Sequence, residues 1–204
     1  MEETVFGLSK NEIRDDLKKR LDEKRFYHTL GVEHTAACLA MYHGVDVERA
    51  DLAGLLHDCG KYGSAEKQIG KCEKYGIKLE TIEIQTPSLV HAKLGAYYAQ
   101  KRYGVTDDEI LSAILYHTTG KPEMTLLEKI IYLADYIEPG RDFSKTEPDS
   151  SAENSLANIR RLAFTDIDRA VALTAMATLK YIREGKPGQP ISELTVKTFE
   201  YYKS

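Results

Sequence analysis

The stretch Ala53-Gly54-Leu55-Leu56-His57-Asp58-Cys59-Gly60-Lys61 decides the fold prediction for this chain. Leu52, Leu55 and Leu56 recur at helical spacing, which predicts a buried helix that ends in an imidazole and a carboxylate. A buried, ionised carboxylate without a partner is strongly destabilising, so a positive group must lie opposite Asp58. A metal ion would take both side chains as ligands. The alternative is an ordinary His–Asp pair at a solvated helix end.

The composition is that of a globular domain with a charged surface. The chain has 204 residues, 42% hydrophobic and 29% charged, which is enough for one domain with a substantial core. A net charge of -4 argues against a broad surface for nucleic acid or anionic membrane. The 3 cysteines form no CxxC pair, and we find neither a signal peptide nor a membrane span. We therefore expect a cytoplasmic protein that binds neither nucleic acid nor membrane.

Helical patterns cover nearly the whole chain, and strand alternation is almost absent. Capping boxes begin predicted helices at 9–12, 106–109 and 125–128, and further helices are predicted over 25–43, 46–58, 64–75, 88–102, 151–163, 167–184 and 192–202. The segment 79–87 is ambiguous between a loop and a short helix. We interpret the loop from Arg141 to about Asp149 as an active-site loop. The prediction is an all-α chain forming one domain over 1–204, with a core at about 20–140 and C-terminal helices at 150–204 packed on it.

Metal-competent side chains lie on helix faces that should be apolar. They are His28, His57 with Asp58, His91 or His117, and Asp135. Each alone has an ordinary explanation, because a buried histidine is usually hydrogen-bonded in the core and Asp135 could pair with Arg141 or Arg25. Together they are better explained by one shared cation, as in the metal sites of helical bundles. The mixed imidazole and carboxylate set favours Fe, Mn, Co or Zn over Mg, and its open coordination positions are typical of catalysis.

The order His, His-Asp, Asp resembles the HD superfamily of metal-dependent phosphohydrolases. The matching stretches are 25–32, 55–61, 116–120 and 133–141, together with His91. The segment Ile137-Glu138-Pro139-Gly140-Arg141 is similar to one branch, the YqeK-type bacterial hydrolases that cleave diadenosine tetraphosphate symmetrically. The similarity runs from about Arg25 to the C-terminal helices, and it implies an HD-domain helical bundle with additional C-terminal helices.

The resemblance also implies roles for individual residues. The implied metal ligands are His28, His57, Asp58 and Asp135, with iron as the expected metal. The implied catalytic residues are His57, Asp58, Lys61, His91 and His117, of which His91 and His117 would contact phosphate oxygens or hold a second metal. The implied nucleotide contacts are Arg25, His28, Asp58, Lys61, His91, His117, Asp135, Arg141, Thr178, Tyr181 and Ile182, with Arg25, Lys61 and Arg141 on the polyphosphate. Tyr181 could stack on adenine, and core packing is the alternative for its ring.

The reaction implied by the resemblance is hydrolysis of diadenosine tetraphosphate to two ADP, by attack of a metal-bound water on a phosphate. One alternative is another HD nucleotidase, which acts on nucleoside monophosphates or a guanosine polyphosphate. The other is a regulatory module that binds nucleotide and metal without turnover. The expected small-molecule partner is a dinucleoside polyphosphate or ADP, and the sequence leaves a homodimer open.

Overall fold

The computed structural model describes residues 8–141 and 155–203, which form eleven α-helices. In chain order these are α1 (Lys10–Arg20), α2 (Glu23–His43), α3 (Val47–Leu56), α4 (Ala65–Lys74), α5 (Thr81–Gln85), α6 (Val90–Lys101), α7 (Asp108–Tyr116), α8 (Leu126–Ile137), α9 (Leu156–Thr165), α10 (Ile167–Gly185) and α11 (Glu193–Tyr202), with a 3-10 turn at Pro87–Leu89. No strand occurs in these two ranges, so the all-α prediction is confirmed. Nor is any helix there long and apolar enough to cross a bilayer.

Local sequence signals set most helix ends. Ser9 and Thr125 form capping boxes at α1 and α8, as predicted. The prediction for α7 was wrong by one residue, because the N-cap is Asp107 rather than Thr106. The Asp107 carboxylate accepts hydrogen bonds from two backbone N–H groups of the first turn. Gly44 ends α2 with a left-handed φ of 72°.

Two predicted segments lie partly outside the described residues. The loop predicted from Arg141 to Asp149 and the start of the helix predicted at residue 151 fall largely in 142–154. Inside the described range that helix is α9, which ends two residues later than predicted, at Thr165. The ambiguous segment 79–87 contains the short α5. The division into a core and packed C-terminal helices stays a prediction.

The core lies where α2 and α3 pack face to face against α7 and α8. Val32, Ala36 and Leu39 of α2 are fully buried, as the helical pattern predicted. The two backbones approach closely at Gly54, where a Cβ atom would lie 2.9 Å from Cα of Glu33. α6 packs on α7, and the C-terminal helices α9 and α10 pack on α8. This packing brings parts of α2, α3, α6, α7 and α8 together in one region.

Asp16 joins α1 to the end of α6. Its carboxylate accepts hydrogen bonds from Arg102 at 2.9 and 3.1 Å, from Arg20 at 2.9 Å and from the Tyr103 hydroxyl at 2.7 Å. Burial raises the pKa of the Asp16 carboxyl, but these donors outweigh that effect and lower the pKa to about 2. The ionised carboxylate therefore stabilises the folded state at neutral pH.

We expect Asp16→Asn to lower the free energy of unfolding by about 1–2 kcal/mol at pH 7, after allowance for the partial exposure of the site. Because the folded-state pKa is depressed, this contribution is present above the unfolded-state value of 3.8 and is lost as the pH falls toward about 2. Urea denaturation between pH 7 and pH 2.5 measures it. The exposed neighbour Asp15, changed to Asn, is the control for net charge. A destabilisation that does not change with pH would contradict the assignment.

Candidate functional site

The His57-Asp58 pair lies in a buried turn directly after α3. The two residues are 0% and 1% exposed, so the alternative of a solvated pair at a helix end is wrong. The turn lies against α6, since a Cβ atom on Gly60 would be 2.4 Å from the carbonyl oxygen of His91. Only glycine permits this approach, which places Asp58 beside the histidine of α6.

Side chains from α2, α3, α6, α7 and α8 meet at one point of the described structure. They are His28 from α2, His57 and Asp58 after α3, His91 from α6, His117 after α7, and Asp135 from α8. In the described part of the chain, two triads have candidate ligand atoms within 4.8 Å of one another: His28, His57 and Asp58, and Asp58, His91 and His117. We call these six residues the His–Asp cluster. Asp58 is shared by both triads.

Backbone carbonyls orient the imidazoles of His57, His91 and His117. Each Nδ1 lies 2.7 Å from the carbonyl oxygen of the residue three positions earlier. A carbonyl can only accept, so each Nδ1 carries a proton and a neutral ring presents its Nε2 lone pair to the cluster. The Nε2 atoms face each other at 3.1 Å between His91 and His117 and at 3.3 Å between His57 and His28. Lone pairs at these distances repel each other unless a cation or a proton lies between them.

Asp58 is the centre of the cluster. Its Oδ2 accepts a hydrogen bond from Arg25 at 2.8 Å, and its Oδ1 lies 3.1 Å from His91 Nε2 and 3.6 Å from Lys61 Nζ. Oδ1 is buried, and no donor of the described residues reaches it with hydrogen-bond geometry. An orphaned carboxylate oxygen beside imidazole lone pairs is a donor set that fits a divalent metal ion.

The charges of the cluster shift the pKa values of its members in different directions. Burial lowers the pKa of His57, but Asp58 and Asp135 outweigh burial and the net pKa is raised. Burial and the Lys61 ammonium lower the pKa of His91 to about 4, so this ring is neutral at pH 7. Burial raises the pKa of Asp58, but His57 and Lys61 bring it well below its usual range. Ionised carboxylates and a neutral imidazole together attract a cation.

Asp135 has an arginine partner as well as histidine neighbours. Arg141 Nη2 donates to Asp135 Oδ1 at 2.7 Å, and Arg141 Nε donates to the backbone oxygen of Asp135 at 3.0 Å. The pairing with Arg141 considered from the sequence is therefore present. The same Oδ1 lies 3.0 Å from His28 Nε2, so Asp135 belongs to the cluster too. Arg25, the other partner considered, binds Asp58 instead.

A cavity of about 790 Å³ opens beside the cluster, within the size range of small-molecule sites. Its lining residues are Asp22, Lys24, Arg25, Tyr27, His28, Gly31, Glu138, Pro139, Gly140 and Arg141. Two of the cations expected to bind phosphate, Arg25 and Arg141, are among them. The third, Lys61, lies at the cluster with its side chain 31% exposed.

Thr178, Tyr181 and Ile182 lie on the C-terminal half of α10. Tyr181 is 55% exposed, so the alternative that its ring packs in the core is wrong. Thr178 and Ile182 are half-buried on the same part of the helix. None of the three is among the residues that line the cavity beside the cluster. Their role in nucleotide binding stays a prediction.

Comparison with known proteins is decisive for the family. The HD domain model matches residues 25–140, a range that includes the whole His–Asp cluster. This chain belongs to the HD-domain family. The HD chain is 38% identical over 196 residues to the symmetrical bis(5'-nucleosyl)-tetraphosphatase of Bacillus subtilis (strain 168), covering 95% of this chain and 97% of that protein.

Two further comparisons agree with this family. The symmetrical bis(5'-nucleosyl)-tetraphosphatase of Halalkalibacterium halodurans is 37% identical over 183 residues, covering 90% of this chain and 91% of that protein. A solved structure from Clostridium acetobutylicum, described as a predicted HD superfamily hydrolase involved in NAD metabolism, superposes with a TM-score of 0.86 at 38% identity. The superposition covers 96% of this chain and 97% of that chain. The prediction of an HD-domain helical bundle is confirmed.

Sequence reasoning missed one contact of the His–Asp cluster. The carboxylate of Glu138 lies 3.0 Å from His28 Nδ1, yet the sequence pattern assigned this glutamate no role. Glu138 follows the last residue of α8, where helical periodicity no longer indicates which side chains point inward. The sequence signal for Glu138 was its position within 133–141, one of the stretches that resemble the HD superfamily.

We expect Asp58→Ala to lose bound metal and turnover together, while the helical fold persists. Removal of the carboxylate leaves the facing imidazoles without the oxygen that both triads share. Elemental analysis of the purified variant measures the metal, and circular dichroism checks the fold. Asp51→Ala is the matched control, since this aspartate of α3 pairs with Lys10 away from the cluster. Metal retained in Asp58→Ala at the parent ratio would remove Asp58 from the ligand set.

Proposed function

We propose that this HD protein hydrolyses diadenosine tetraphosphate symmetrically to two ADP, in a reaction that depends on a divalent metal. The main supporting observation is the His–Asp cluster, in which Asp58 Oδ1 accepts no hydrogen bond from the described residues, beside a cavity lined in part by Arg25 and Arg141. Identity of 38% over 95% of the chain to a symmetrical tetraphosphatase supports the substrate class. We propose iron as the metal, with Mn, Co or Zn as alternatives.

His28, His57, Asp58 and Asp135 are the proposed metal ligands. A bound divalent ion supplies a Lewis acid that lowers the pKa of a coordinated water and offsets phosphate charge. His91 and His117 hold a second ion through Nε2, since they form a triad with Asp58, or contact phosphate oxygens when the ring is protonated at Nε2 as well. Both rings are held at Nδ1 by backbone carbonyls, so each presents Nε2 in a fixed direction.

The arginines place the polyphosphate beside the cluster. Arg25 and Arg141 each use part of a guanidinium to bind a cluster carboxylate, and this contact fixes both at the cavity. A guanidinium has five N–H donors in a rigid fork, so each arginine keeps donors for phosphate oxygens. Lys61 adds a positive charge 3.6 Å from Asp58 Oδ1. These cations converge on one site and offset charge that develops on the phosphate during attack.

Cleavage at the centre of the tetraphosphate follows if one ADP half binds with its terminal phosphate at the cluster. The other ADP is then the leaving group. An off-centre cut requires further cations to hold a longer fragment beyond the cluster. The lysines between positions 67 and 78 lie on or just after α4 and none of them lines the cavity, where Lys24 is the one lysine among the described lining residues.

Three further assignments stay predictions. The free thiols of Cys38, Cys59 and Cys72 accord with the reducing location expected from the sequence. We propose the cytoplasm as that location. A single functional domain over 1–204 completes the proposal, and a homodimer stays open.

We expect a single-turnover reaction with diadenosine tetraphosphate and added Fe²⁺ or Mn²⁺ to yield ADP alone. Chromatography of the products measures this. ATP and AMP in equal amounts would contradict symmetric cleavage and leave the HD assignment intact. Faster turnover of a nucleoside monophosphate or a guanosine polyphosphate would favour the first alternative. Metal and nucleotide binding with no turnover of any of these would favour the regulatory module.

We expect His117→Ala to lower kcat by ~10²-fold or more while most of the metal is retained, the size of effect typical of removing an oriented proton donor or charge stabiliser. Steady-state kinetics and elemental analysis of the same sample measure the two quantities. His34→Ala is the control, because His34 is exposed on α2. Loss of metal together with the imidazole would place His117 among the metal ligands instead.

A further inference from the structure

His28 differs from the other imidazoles of the His–Asp cluster in the partner of its Nδ1. That atom lies 3.0 Å from Oε1 of Glu138, whereas the other rings use backbone carbonyls. The His28 and Glu138 side chains are 9% and 4% exposed, so water competes little for this contact. An ionised carboxylate only accepts, which fixes the proton on Nδ1. The His28 Nε2 lone pair then points to the cluster, 3.0 Å from Asp135 Oδ1.

The carboxylate of Glu138 is itself held on its other side. Oε2 accepts a hydrogen bond from the backbone N–H of Gly140 at 2.5 Å. Arg160 of α9 fixes the local backbone, since its Nε donates to the carbonyl of Ile137 and its Nη2 to the carbonyl of Glu138, both at 2.9 Å. One carboxylate oxygen is thus bound by the turn after α8, and the other is left for His28.

Gly31 provides the space that this carboxylate occupies. It lies one turn after His28 on the same face of α2, and a Cβ atom there would be 2.6 Å from Oε2 of Glu138. A real Cβ would therefore displace the carboxylate. The glycine leaves room for the carboxylate, the backbone of Gly140 binds one of its oxygens, Arg160 holds the backbone of Glu138, and the other carboxylate oxygen contacts the ring of His28.

We propose that Glu138 is a positioning residue that sets the tautomer and orientation of His28 and thereby strengthens metal binding. The proposal rests on the metal-binding role proposed above for His28. Carboxylates that accept the second N–H of a metal-binding histidine typically contribute 10–100-fold in metal affinity. The competing explanation is that Glu138 only caps the turn through Gly140, which would affect stability and leave metal affinity unchanged.

The direct test is Glu138→Gln. Glutamine has a similar shape but a single carbonyl oxygen, so the N–H groups of His28 and Gly140 compete for one acceptor. We expect Kd for Co²⁺, titrated into metal-free protein and followed by visible absorption, to rise about 10–100-fold. We also expect ¹⁵N NMR of the metal-free protein to show His28 with its proton on Nδ1 in the parent and partly on Nε2 in the variant. A role confined to stability would not change this tautomer signal.

Glu128→Gln, in the first turn of α8, is the matched control. Glu128 is 2% exposed, and its carboxylate accepts from Ser112 and from the backbone of Thr125, away from the cluster. We expect this variant to lower Tm while Kd for Co²⁺ stays within about twofold of the parent. Equal losses of Co²⁺ affinity in the Glu128 and Glu138 variants would overturn the proposal.

Gly31→Ala tests the same contact with the glutamate intact. We expect it to weaken Co²⁺ binding in the same direction, because the added methyl displaces the carboxylate. If Glu138→Gln does not fold, unchanged Co²⁺ affinity in Gly31→Ala overturns the proposal. A folded Glu138→Gln that binds Co²⁺ like the parent overturns it as well. His28→Ala separates the metal-ligand role of His28 from the positioning role of Glu138. If His28→Ala binds Co²⁺ like the parent, His28 is not a metal ligand. If His28→Ala loses Co²⁺ binding while Glu138→Gln binds Co²⁺ like the parent, only the positioning role is refuted.

Discussion

The facing lone pairs of the cluster imidazoles, packed around the Asp58 carboxylate, are the constraint on which the structure depends. The Nε2 atoms face each other at 3.1 and 3.3 Å, and one buried carboxylate oxygen accepts no hydrogen bond from the described residues. Without a bound cation, these groups destabilise the folded core. The apolar faces of α2, α3, α7 and α8 pack tightly enough to hold these groups together. A cation held by these groups would replace their repulsion with attraction, so the same contacts that oppose folding would also form the metal site.

Helix ends explain why His57 and His117 present Nε2 rather than Nδ1. The last four carbonyls of an α-helix have no partner within the helix. Gly54 and Ile114 are such residues in α3 and α7, and their carbonyls accept the Nδ1 protons of His57 and His117. A histidine placed just after a helix thus satisfies an unpaired carbonyl and gains a defined tautomer at once. His28 lies early in the long α2, where the carbonyls are paired within the helix, and it takes its acceptor from Glu138 at the end of α8.

The sequence predicted the site where helical periodicity reaches it. Its period of 3.6 places His28 and Asp135 on the same faces as buried aliphatic residues, and both join the cluster. The backbone leaves helical geometry at Glu138, whose ψ is 152°, so periodicity does not reach its side chain, whereas His57 and His117 keep helical dihedral angles just after their helices. Periodicity also does not predict how much of a helix's apolar stripe is covered by a neighbouring helix. Tyr181 continues the stripe of Leu173 on α10, yet its ring is exposed whereas Leu173 is buried.

The pairing of arginines with cluster carboxylates depends on the angles between helices, which no local pattern encodes. Arg25 from α2 reaches Asp58, and Arg141 after α8 reaches Asp135, so each carboxylate charge is already offset. Under the proposed function, the charge of Lys61, that of a divalent ion and the remaining N–H groups of the two arginines would face the substrate. The two arginines offset the two aspartates, so Lys61 is the remaining positive charge among these five groups, and a bound divalent ion would strengthen the attraction for a polyphosphate anion. Under the proposed function, metal binding and recognition of a dinucleoside tetraphosphate would be coupled through the same two carboxylates.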